Sequence, residues 1–234
     1  MICIILFAVR LFISDSIQDG KTALCIVPAT VAPRSVSHNT FAARRTMKTM
    51  QASLLGIPLV SSTWINDCLE KKTVLPPEST MFIRSLPTKR TDAKAHYGVA
   101  FLAASGREAH AVFPGVSVYL CGFSQKNATV FRGLLHDAGV EDVIVSKQTA
   151  IARVRSLQAP TTLVLLCDTN ASDSISEALD EAVRKQHENI AVVNSPWLVD
   201  SVSCGFALDP SEYPPKKGKA KALWALTKSK SFAR

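Results

Sequence analysis

The sequence contains one pattern twice, and this repetition constrains the fold more than any other feature. The first copy reads GIPLVSSTWINDCLEKKTVL, and the second reads NIAVVNSPWLVDSVSCGFAL. In each copy an apolar run leads into a Ser or Asn turn, a Trp, and a polar stretch that contains Cys and ends at Leu. Trp64 and Trp197 occupy equivalent places. An internal repeat of about 100–130 residues predicts two copies of one domain rather than a single large domain.

Short apolar runs alternate with amphipathic stretches along the chain, as they do in α/β domains. The 234 residues suit two domains of roughly 100–150 residues each. A content of 47% hydrophobic and 20% charged residues is typical of a globular protein. The run TTLVLLC is apolar on both faces, which is typical of a strand inside a covered, mostly parallel sheet. We therefore predict the α/β class.

The pattern of the first half predicts three strands and two helices. The N-terminal run MICIILFAVRLFI is too short for a bilayer, which needs about 20 apolar residues, and it lacks the features of a signal peptide. We interpret it as a buried strand. The other predictions are a strand over 21–27, a loop over 28–40, a helix over 41–55 ending at Gly56, a strand in GIPLVSS and a helix in TWINDCLEKK.

The second half contains four predicted strands, in VSVYLCG, VEDVIVS, TTLVLLC and IAVVNS. Three helices are predicted, over 125–138, over 172–187, and in PWLVDSVSCG with Pro196 in its first turn. We place a first repeat at 1–80, a linker with a short helix at 81–112, a second repeat at 113–213 and a basic tail at 214–234.

The six cysteines are widely spaced, and no two lie closer than 22 residues. No CxxC pair is present, so we expect no zinc or other metal site. Several of these cysteines lie inside apolar runs, which indicates buried thiols in a reducing compartment.

Most of the net charge of +8 comes from one end of the chain. Residues 214–234 hold seven basic residues and no acidic ones, so the remainder is close to neutral. A basic tail of this kind is typical of a nuclear localisation signal or a loose polyanion contact, and equally of a solvated end. Its apolar residues around Trp224 are also consistent with a short segment that docks on the body or on a partner.

Sequence motifs of catalysis are absent. The five histidines are scattered, and the sequence has no GxGxxG, Walker, HExxH or GxSxG motif. We therefore expect neither an enzyme nor a cofactor.

The strand–turn–Trp–helix ending, present twice, resembles the BRCT repeat. Residues 43–77, which begin ARRTMKTMQ, closely resemble the second half of the first repeat in tandem BRCT pairs of DNA-damage checkpoint mediator proteins. Residues 96–109, HYGVAFLAASGREA, resemble the helix between the repeats of those pairs. The resemblance extends over residues 11–213. It implies two three-layer domains, each a small parallel four-stranded sheet flanked by helices.

Two basic residues on the predicted helix over 41–55 are candidate ligands for a phosphopeptide. Arg45 and Lys48 lie three apart, so on a helix both side chains can point the same way. On spacing alone this pair is also typical of a solvated helix face. A phosphoserine has close to two negative charges and three acceptor oxygens. The resemblance implies that Lys48 binds the phosphate and that Arg45 binds the residue about three positions later.

In the family, a Ser or Thr hydroxyl and a Gly N–H after the first strand share the phosphate with the lysine. MICIILFAVR contains no Ser-Gly or Thr-Gly. Ser14 and Ser16 are nearby, but Asp15 between them would repel a phosphate. We therefore expect a first repeat that is truncated or divergent at its start, with MICIILFAVR as a substitute strand.

The second repeat has Cys-Gly-Phe-Ser at 121–124, the matching position after its first strand. Its corresponding helix, SEALDEAVRKQ, is acidic at its start, which disfavours phosphate. We interpret Gly122 as a turn glycine and the second repeat as a packing partner.

The resemblance implies a monomeric nuclear reader of phosphoserine or phosphothreonine peptides in DNA-damage signalling, without a membrane partner. The phosphorylated C-terminal tail of a damage-marked histone is one candidate ligand. Two alternatives stay open: a phosphate-independent BRCT scaffold, and weak DNA binding through the basic tail.

Overall fold

We analysed a computed structural model, which describes residues 2–7, 10–14, 22–31, 41–78, 81–84, 86, 99–105, 111–157, 161–168, 175–185, 189–216 and 218–227. The chain divides into two compact units. The first comprises Met1–His110 and Val202–Gly205, and the second Ala111–Ser201 and Phe206–Arg234. Each unit contains a four-stranded sheet with helices, which confirms the predicted α/β class.

The structure describes six strands in the first unit. They are β1 (Ile2–Phe7), β2 (Arg10–Ser14), β3 (Thr22–Val27), β4 (Ala29–Val31), β5 (Phe41–Ala43) and β6 (Leu59–Ser61). Four of them form one sheet in the order β2-β1-β3-β6, and β4 pairs with β5 separately. β3 and β6 are parallel, whereas β1 is antiparallel to both of its neighbours. This sheet therefore differs from the all-parallel one that the resemblance implies.

The length of the first connection explains the direction of β1. Two residues, 8 and 9, join β1 to β2. A connection this short can form an antiparallel hairpin, but a parallel crossover needs a dozen or more residues. The predicted substitute strand is thus present as β1, at the centre of the sheet and with reversed direction.

Three helices are described in the first unit: α1 (Met47–Leu54), α2 (Thr63–Glu70) and α3 (Val99–Ala104). α1 contacts β3, β6 and α3. α2 covers the opposite face, where Ile26, Val60 and Trp64 form a small buried cluster. The short helix predicted within the linker at 81–112 is present as α3. Residues 85, 87–98 and 106–110 of that linker lie outside the described residues.

α1 begins six residues later than predicted. The pattern predicted a helix over 41–55, but residues 41–43 form β5, and Thr46 is the N-cap of the helix. The predicted loop over 28–40 begins instead with β4, and residues 32–40 lie outside the described residues. The pairing of β4 with β5 is a non-local contact, which local periodicity does not detect.

The second unit has the parallel sheet that the resemblance implies. Its strands are β7 (Val116–Cys121), β8 (Asp142–Ile144), β9 (Thr162–Cys167) and β10 (Ile190–Asn194). The order is β10-β9-β7-β8, and all pairs are parallel. If the four strands of each sheet are counted in chain order, the first strand thus lies between the second and the third in both units. The fourth strand, β6 or β10, is an edge strand beside the third.

Five helices are described in the second unit: α4 (Gln125–Asp137), α5 (Lys147–Ser156), α6 (Glu177–Lys185), α7 (Ser195–Cys204) and α8 (Gly218–Thr227). α5 was not predicted. Ala150 and Val154 are its fully buried residues, and the rest of the helix is mostly polar. With so few apolar positions, α5 lacks the periodicity that marks an amphipathic helix.

The helices of the second unit lie on both faces of its sheet. α5, α6 and α8 share one buried cluster with Tyr119 and Cys121 of β7. The crossover from β7 to β8 proceeds in the opposite direction across the sheet from that between β9 and β10. Right-handed connections therefore place α4 on the other face from α6. The result is the predicted arrangement of three layers.

Part of the segment predicted as a tail belongs to this fold. α8 packs on β10 and α6, with Ala220 and Leu223 buried in the cluster. The indole Nε1 of Trp224 donates a hydrogen bond to the carbonyl of Pro210, at 3.3 Å. Residues 218–227 are therefore a structural part of the second unit rather than a solvated end. Residues 228–234 lie outside the described residues.

Both units contain the same hydrogen-bonded arrangement around their tryptophan, which we call the tryptophan clasp. Trp64 Nε1 donates to the carbonyl of Leu75 at 2.9 Å, and Trp197 Nε1 donates to that of Leu208 at 2.8 Å. Each Leu lies 11 residues after its Trp. The Leu N–H donates back to the helix, to Cys68 Sγ at 3.4 Å in the first unit and to Ser201 Oγ at 3.1 Å in the second. The clasp confirms the equivalence of the two tryptophans.

The structure describes the side chains of five cysteines, and none of these five forms a disulfide. Four are buried and Cys68 is half-buried, as the thiol prediction requires. Cys121 and Cys167 lie side by side on β7 and β9. Their hydrogen bond, together with burial, raises the pKa of the Cys167 thiol. Burial, with a smaller contribution from both thiols, raises the pKa of Tyr119 to about 12.

The described residues contain neither a metal site nor a membrane-spanning helix. No group of three or more His, Cys, Asp or Glu side chains is placed to hold a metal ion. None of the described helices combines the length and the apolar character that crossing a membrane requires.

Candidate functional site

Two threonines fix the backbone at the start of α1. Thr46 is the N-cap, in an extended conformation, and its Oγ1 accepts a hydrogen bond from the Thr49 N–H at 3.2 Å. In return the Thr46 N–H donates to Thr49 Oγ1 at 2.9 Å. This reciprocal pair is a capping box, which satisfies donors that the first turn of a helix leaves open.

The Thr49 hydroxyl also anchors the residues before the helix. It lies within hydrogen-bond distance of two carbonyl oxygens, at 3.1 Å from that of Arg44 and at 2.9 Å from that of Thr46. Thr49 is only 2% exposed, so these hydrogen bonds are shielded from water. The backbone of residues 44–46 is therefore held rigidly against the first turn of α1. We call residues 44–46 the anchored turn.

Three cations lie on this anchored turn and the start of the helix. Arg44 and Lys48 are exposed, and Arg45 is half-buried. The first turn of α1 contains no acidic residue. A helix N-terminus has a partial positive charge, so the local electrostatics favour an anion. A rigid backbone with basic side chains around it is the arrangement that recognition of a phosphate requires.

The structure changes the relation between the two predicted site residues. Lys48 is the second residue of α1, but Arg45 precedes the N-cap. The helical spacing that would align both side chains on one face therefore does not apply to them. Arg45 extends instead from the anchored turn. Their roles in binding stay predictions.

Sequence reasoning missed Thr46, Thr49 and Arg44. A Thr followed three residues later by a second polar side chain is the local signal of a capping box, and it was present in RRTMKT. The predicted helix began at residue 41, so Thr46 was counted as an interior position.

The anchored turn lies at the end of the first sheet at which strands β3 and β6 finish. Ala43 pairs with Ala29, which follows β3 after one residue. β1 starts at this end of the sheet, since Ile2 pairs with Ile26, and it finishes at the opposite end of the sheet. The phosphate loop that the BRCT resemblance implies would follow a strand that finishes at this end of the sheet. Reversed β1 therefore delivers no such loop here.

The second unit has the glycine turn, but α6, the counterpart of α1, has no basic residue in its first turn. Gly122 follows β7 with φ +77°, which confirms a turn glycine. Ser124 caps α4, and its Oγ accepts from the Asn127 N–H at 3.3 Å. The matching helix, α6, begins with Glu177, and its basic residues lie in the last turn.

Those basic residues of α6 already have acidic partners. Arg184 Nε is 3.1 Å from Asp180 Oδ1, and Lys185 Nζ is 2.6 Å from Glu181 Oε1. The hydrogen bond from Lys185 lowers the pKa of Glu181. The basic residues of α6 therefore lie in its last turn, in ion pairs with acids of the same helix.

No protein-family model matches the chain. A search of curated proteins finds no match either. Among solved structures, the chain is similar to the crystal structure of S. pombe Rad4 BRCT3,4, at 16% sequence identity and a TM-score of 0.33. The match covers 86% of this chain and 81% of that one. Strand order and the two tryptophan clasps establish the α/β fold of the units independently of this similarity.

Proposed function

We propose that the chain is a tandem BRCT-type interaction module, and that its first unit binds a phosphorylated Ser or Thr peptide at the start of α1. Lys48 binds the phosphate as a point charge, and Arg45 binds the peptide about three residues further on. The second unit contributes no phosphate contact of its own.

The observation that carries this proposal is the anchored turn with its three cations. Ordinary solvated Lys and Arg residues lie on mobile side chains with no fixed arrangement of neighbours. Here the buried Thr49 hydroxyl fixes the backbone on which Arg44, Arg45 and Lys48 lie. Preorganisation lowers the entropic cost of binding an anion.

The reversed β1 predicts modest affinity. A loop that supplied a hydroxyl and an N–H would add two charge-assisted hydrogen bonds, together about 3–6 kcal/mol. Without them, affinity falls by roughly two to four orders of magnitude. We therefore expect micromolar rather than nanomolar binding.

The setting of the proposal follows from the resemblance to checkpoint mediators. A nuclear protein of DNA-damage signalling would encounter histone tails phosphorylated at damaged sites. The phosphorylated C-terminal tail of a damage-marked histone is accordingly the first ligand to test, and the proposed module is monomeric and non-enzymatic.

Fluorescence anisotropy with such a peptide, phosphorylated and unphosphorylated, tests the proposal. We expect phosphate-dependent binding that Lys48→Met weakens by roughly ten- to a hundredfold, the value of a charge-assisted contact. Lys126→Met is the matched control, because Lys126 is also the exposed second residue of a helix, α4. It should bind like the wild type.

One observation favours a second candidate, a scaffold that binds its partner without phosphate. β1 finishes at the end of the sheet opposite the anchored turn, so the residues that follow it do not provide a phosphate loop beside Lys48. Equal affinity for the phosphorylated and unphosphorylated peptides, unchanged by Lys48→Met, would contradict the phosphopeptide proposal and support the scaffold.

A further inference from the structure

Three of the described helices begin after a hydroxyl residue that caps their first turn and is exposed to solvent. These caps are Thr46 of α1, Ser124 of α4 and Ser146 of α5. The backbone of each cap is extended, and its side-chain oxygen accepts a hydrogen bond from an N–H of the first helical turn. An exposed Ser or Thr hydroxyl is a group that can be phosphorylated, and charge distinguishes these three.

The cap of α1 lies in a positively charged part of the first unit. Arg44 and Arg45 precede Thr46 on the anchored turn, and Lys48 follows it. Residues 20–66 contain no acidic residue. α1 packs on β3, β6 and α3, and none of these three elements contains an acidic residue. The charge around Thr46 therefore favours an anion on its side-chain oxygen.

The two caps of the second unit have fewer basic neighbours. Each is followed by one lysine in the first helical turn, Lys126 or Lys147. The five residues before Ser124 and the five before Ser146 include no basic residue. For Ser146 these five residues include two exposed acids. A kinase that selects its substrates by charge therefore distinguishes Thr46 from both.

A phosphate on Thr46 would stay in contact with the start of α1. Thr46 Oγ1 lies 3.2 Å from the backbone N of Thr49 and 3.2 Å from its Oγ1. The attached group would bring strong acceptor oxygens and a double negative charge to the end of α1 that has a partial positive charge. Phosphates at a helix N-terminus or beside arginines form new charge-assisted hydrogen bonds. We therefore expect the group to contact the cations of the anchored turn and Lys48.

We propose that a protein kinase phosphorylates Thr46, and that the attached phosphate occupies Arg44 and Lys48 and so closes the first unit to phosphopeptides. This switch rests on the proposed function, since it needs Lys48 as the ligand of the peptide's phosphate. In the reaction, Thr46 Oγ1 forms a bond to the γ-phosphorus of ATP, the bond from that phosphorus to the bridging oxygen breaks, ADP leaves, and the hydroxyl proton passes to solvent. The effective concentration of an attached group is about millimolar, which exceeds the micromolar affinity expected for a peptide.

Phosphorylation of the folded full chain tests the site. The chain is incubated with ATP, Mg²⁺ and a kinase that prefers arginine before its target, and the modified residues are mapped by mass spectrometry. We expect a phosphoryl group on Thr46 and none on Ser124 or Ser146. Thr46→Asn is the matched control, because Asn caps a helix as well as Thr does but has no hydroxyl. A wild-type chain left unmodified at residue 46 would overturn the proposal.

Thermal unfolding tests where the attached phosphate lies, without any peptide. The chain with phosphothreonine at residue 46 should have a melting temperature about 2–4 °C above that of the unmodified chain, because the new contacts exist only in the folded state. Lys48→Met should reduce this rise. An unchanged or lower melting temperature, or a rise that Lys48→Met leaves intact, would overturn the proposal.

Anisotropy with the phosphorylated histone-tail peptide separates the switch from the proposed function. The chain phosphorylated at Thr46 should bind this peptide roughly tenfold or more weakly than the unmodified chain. Equal binding by both chains would overturn the switch and leave the proposed function intact. Absence of binding by the unmodified chain would contradict the proposed function, and the switch with it.

Discussion

The two units reach the same strand order with different strand directions. In the second unit, a crossover that contains α4 makes β7 and β8 parallel. In the first, a two-residue connection makes β1 antiparallel to both of its neighbours. The comparison teaches that pairing of apolar strands determines which strands are neighbours, whereas connection length determines their direction.

The same comparison divides the parts of a phosphate site between the units. The first unit has the cations and the anchored turn, but its β1 finishes at the end of the sheet opposite that turn. The second has a glycine turn and a capped helix after β7, but α6 begins with an acid. The proposed reader function therefore rests on the cations of the first unit.

The tryptophan clasps provide the largest expected effect. Trp197 is fully buried and contacts the ring of Phe113, whereas Trp64 packs in a small cluster with half-buried neighbours. Trp197→Ala should lower the free energy of unfolding by about 3–5 kcal/mol, and Trp64→Ala by less. Urea denaturation of both variants measures the difference. A larger loss for Trp64→Ala would show that the first core is the better packed.

α4, which has no counterpart among the described residues of the first unit, offers the next test. Gly139 ends this helix region with φ +80°, and a Cβ there would lie 2.5 Å from that of Ala111. Gly139→Ala should therefore destabilise the chain by about 1–3 kcal/mol. Gly133→Ala is the control, because a Cβ at Gly133 meets nothing within 4 Å. That change should stabilise α4 by up to about 1 kcal/mol. Thermal unfolding with the reverse order of stabilities would contradict this account.

The helix caps separate stability from binding. Thr49→Val removes the hydroxyl that anchors the turn at 44–46, and Ser124→Ala removes the cap of α4. Each should cost about 1 kcal/mol of stability. Only Thr49→Val should also weaken phosphopeptide binding, by severalfold, because the cations lie on that turn. Equal binding by both variants in anisotropy would show that the anchored turn does not preorganise the site.

The smallest effect is expected where the clasps differ by a single side chain. Cys68→Ser gives the first clasp the hydroxyl that Ser201 supplies in the second. Since one acceptor replaces another, stability should change by less than about 1 kcal/mol. A larger loss in urea denaturation would mean that the half-buried thiol contributes by packing and not by accepting the Leu75 N–H.

Local patterns predicted those elements that local interactions determine. The strand over 21–27, the strand in GIPLVSS and the helix in PWLVDSVSCG were found with small changes in their bounds. The repeat of Trp64 and Trp197 predicted two equivalent turns, and the clasps show them. The apolar character of MICIILFAVR predicted a strand, but its direction depends on which strands pair.

The sequence predicted which residues would bind a phosphate, but it did not predict how those residues are arranged. Lys48 and Arg45 were identified because a phosphate needs cations, and both lie at the start of α1. The position of Arg45 outside the helix depends on β5 pairing with β4, a non-local contact. The α8 segment was assigned to the basic tail, with docking on the body as one alternative, because Lys219 and Lys221 belong to its run of basic residues. In the structure its Ala220 and Leu223 are buried in the cluster of the second unit.

Nuclear magnetic resonance tests the central claim most directly, because it locates the phosphate on one unit. Backbone amide shifts of the labelled chain would be recorded with the phosphorylated histone-tail peptide and with its unphosphorylated form. The account predicts the largest phosphate-dependent shifts at residues 44–49. Shifts that are the same with both peptides, or that cluster at residues 122–126 of the second unit, would contradict it.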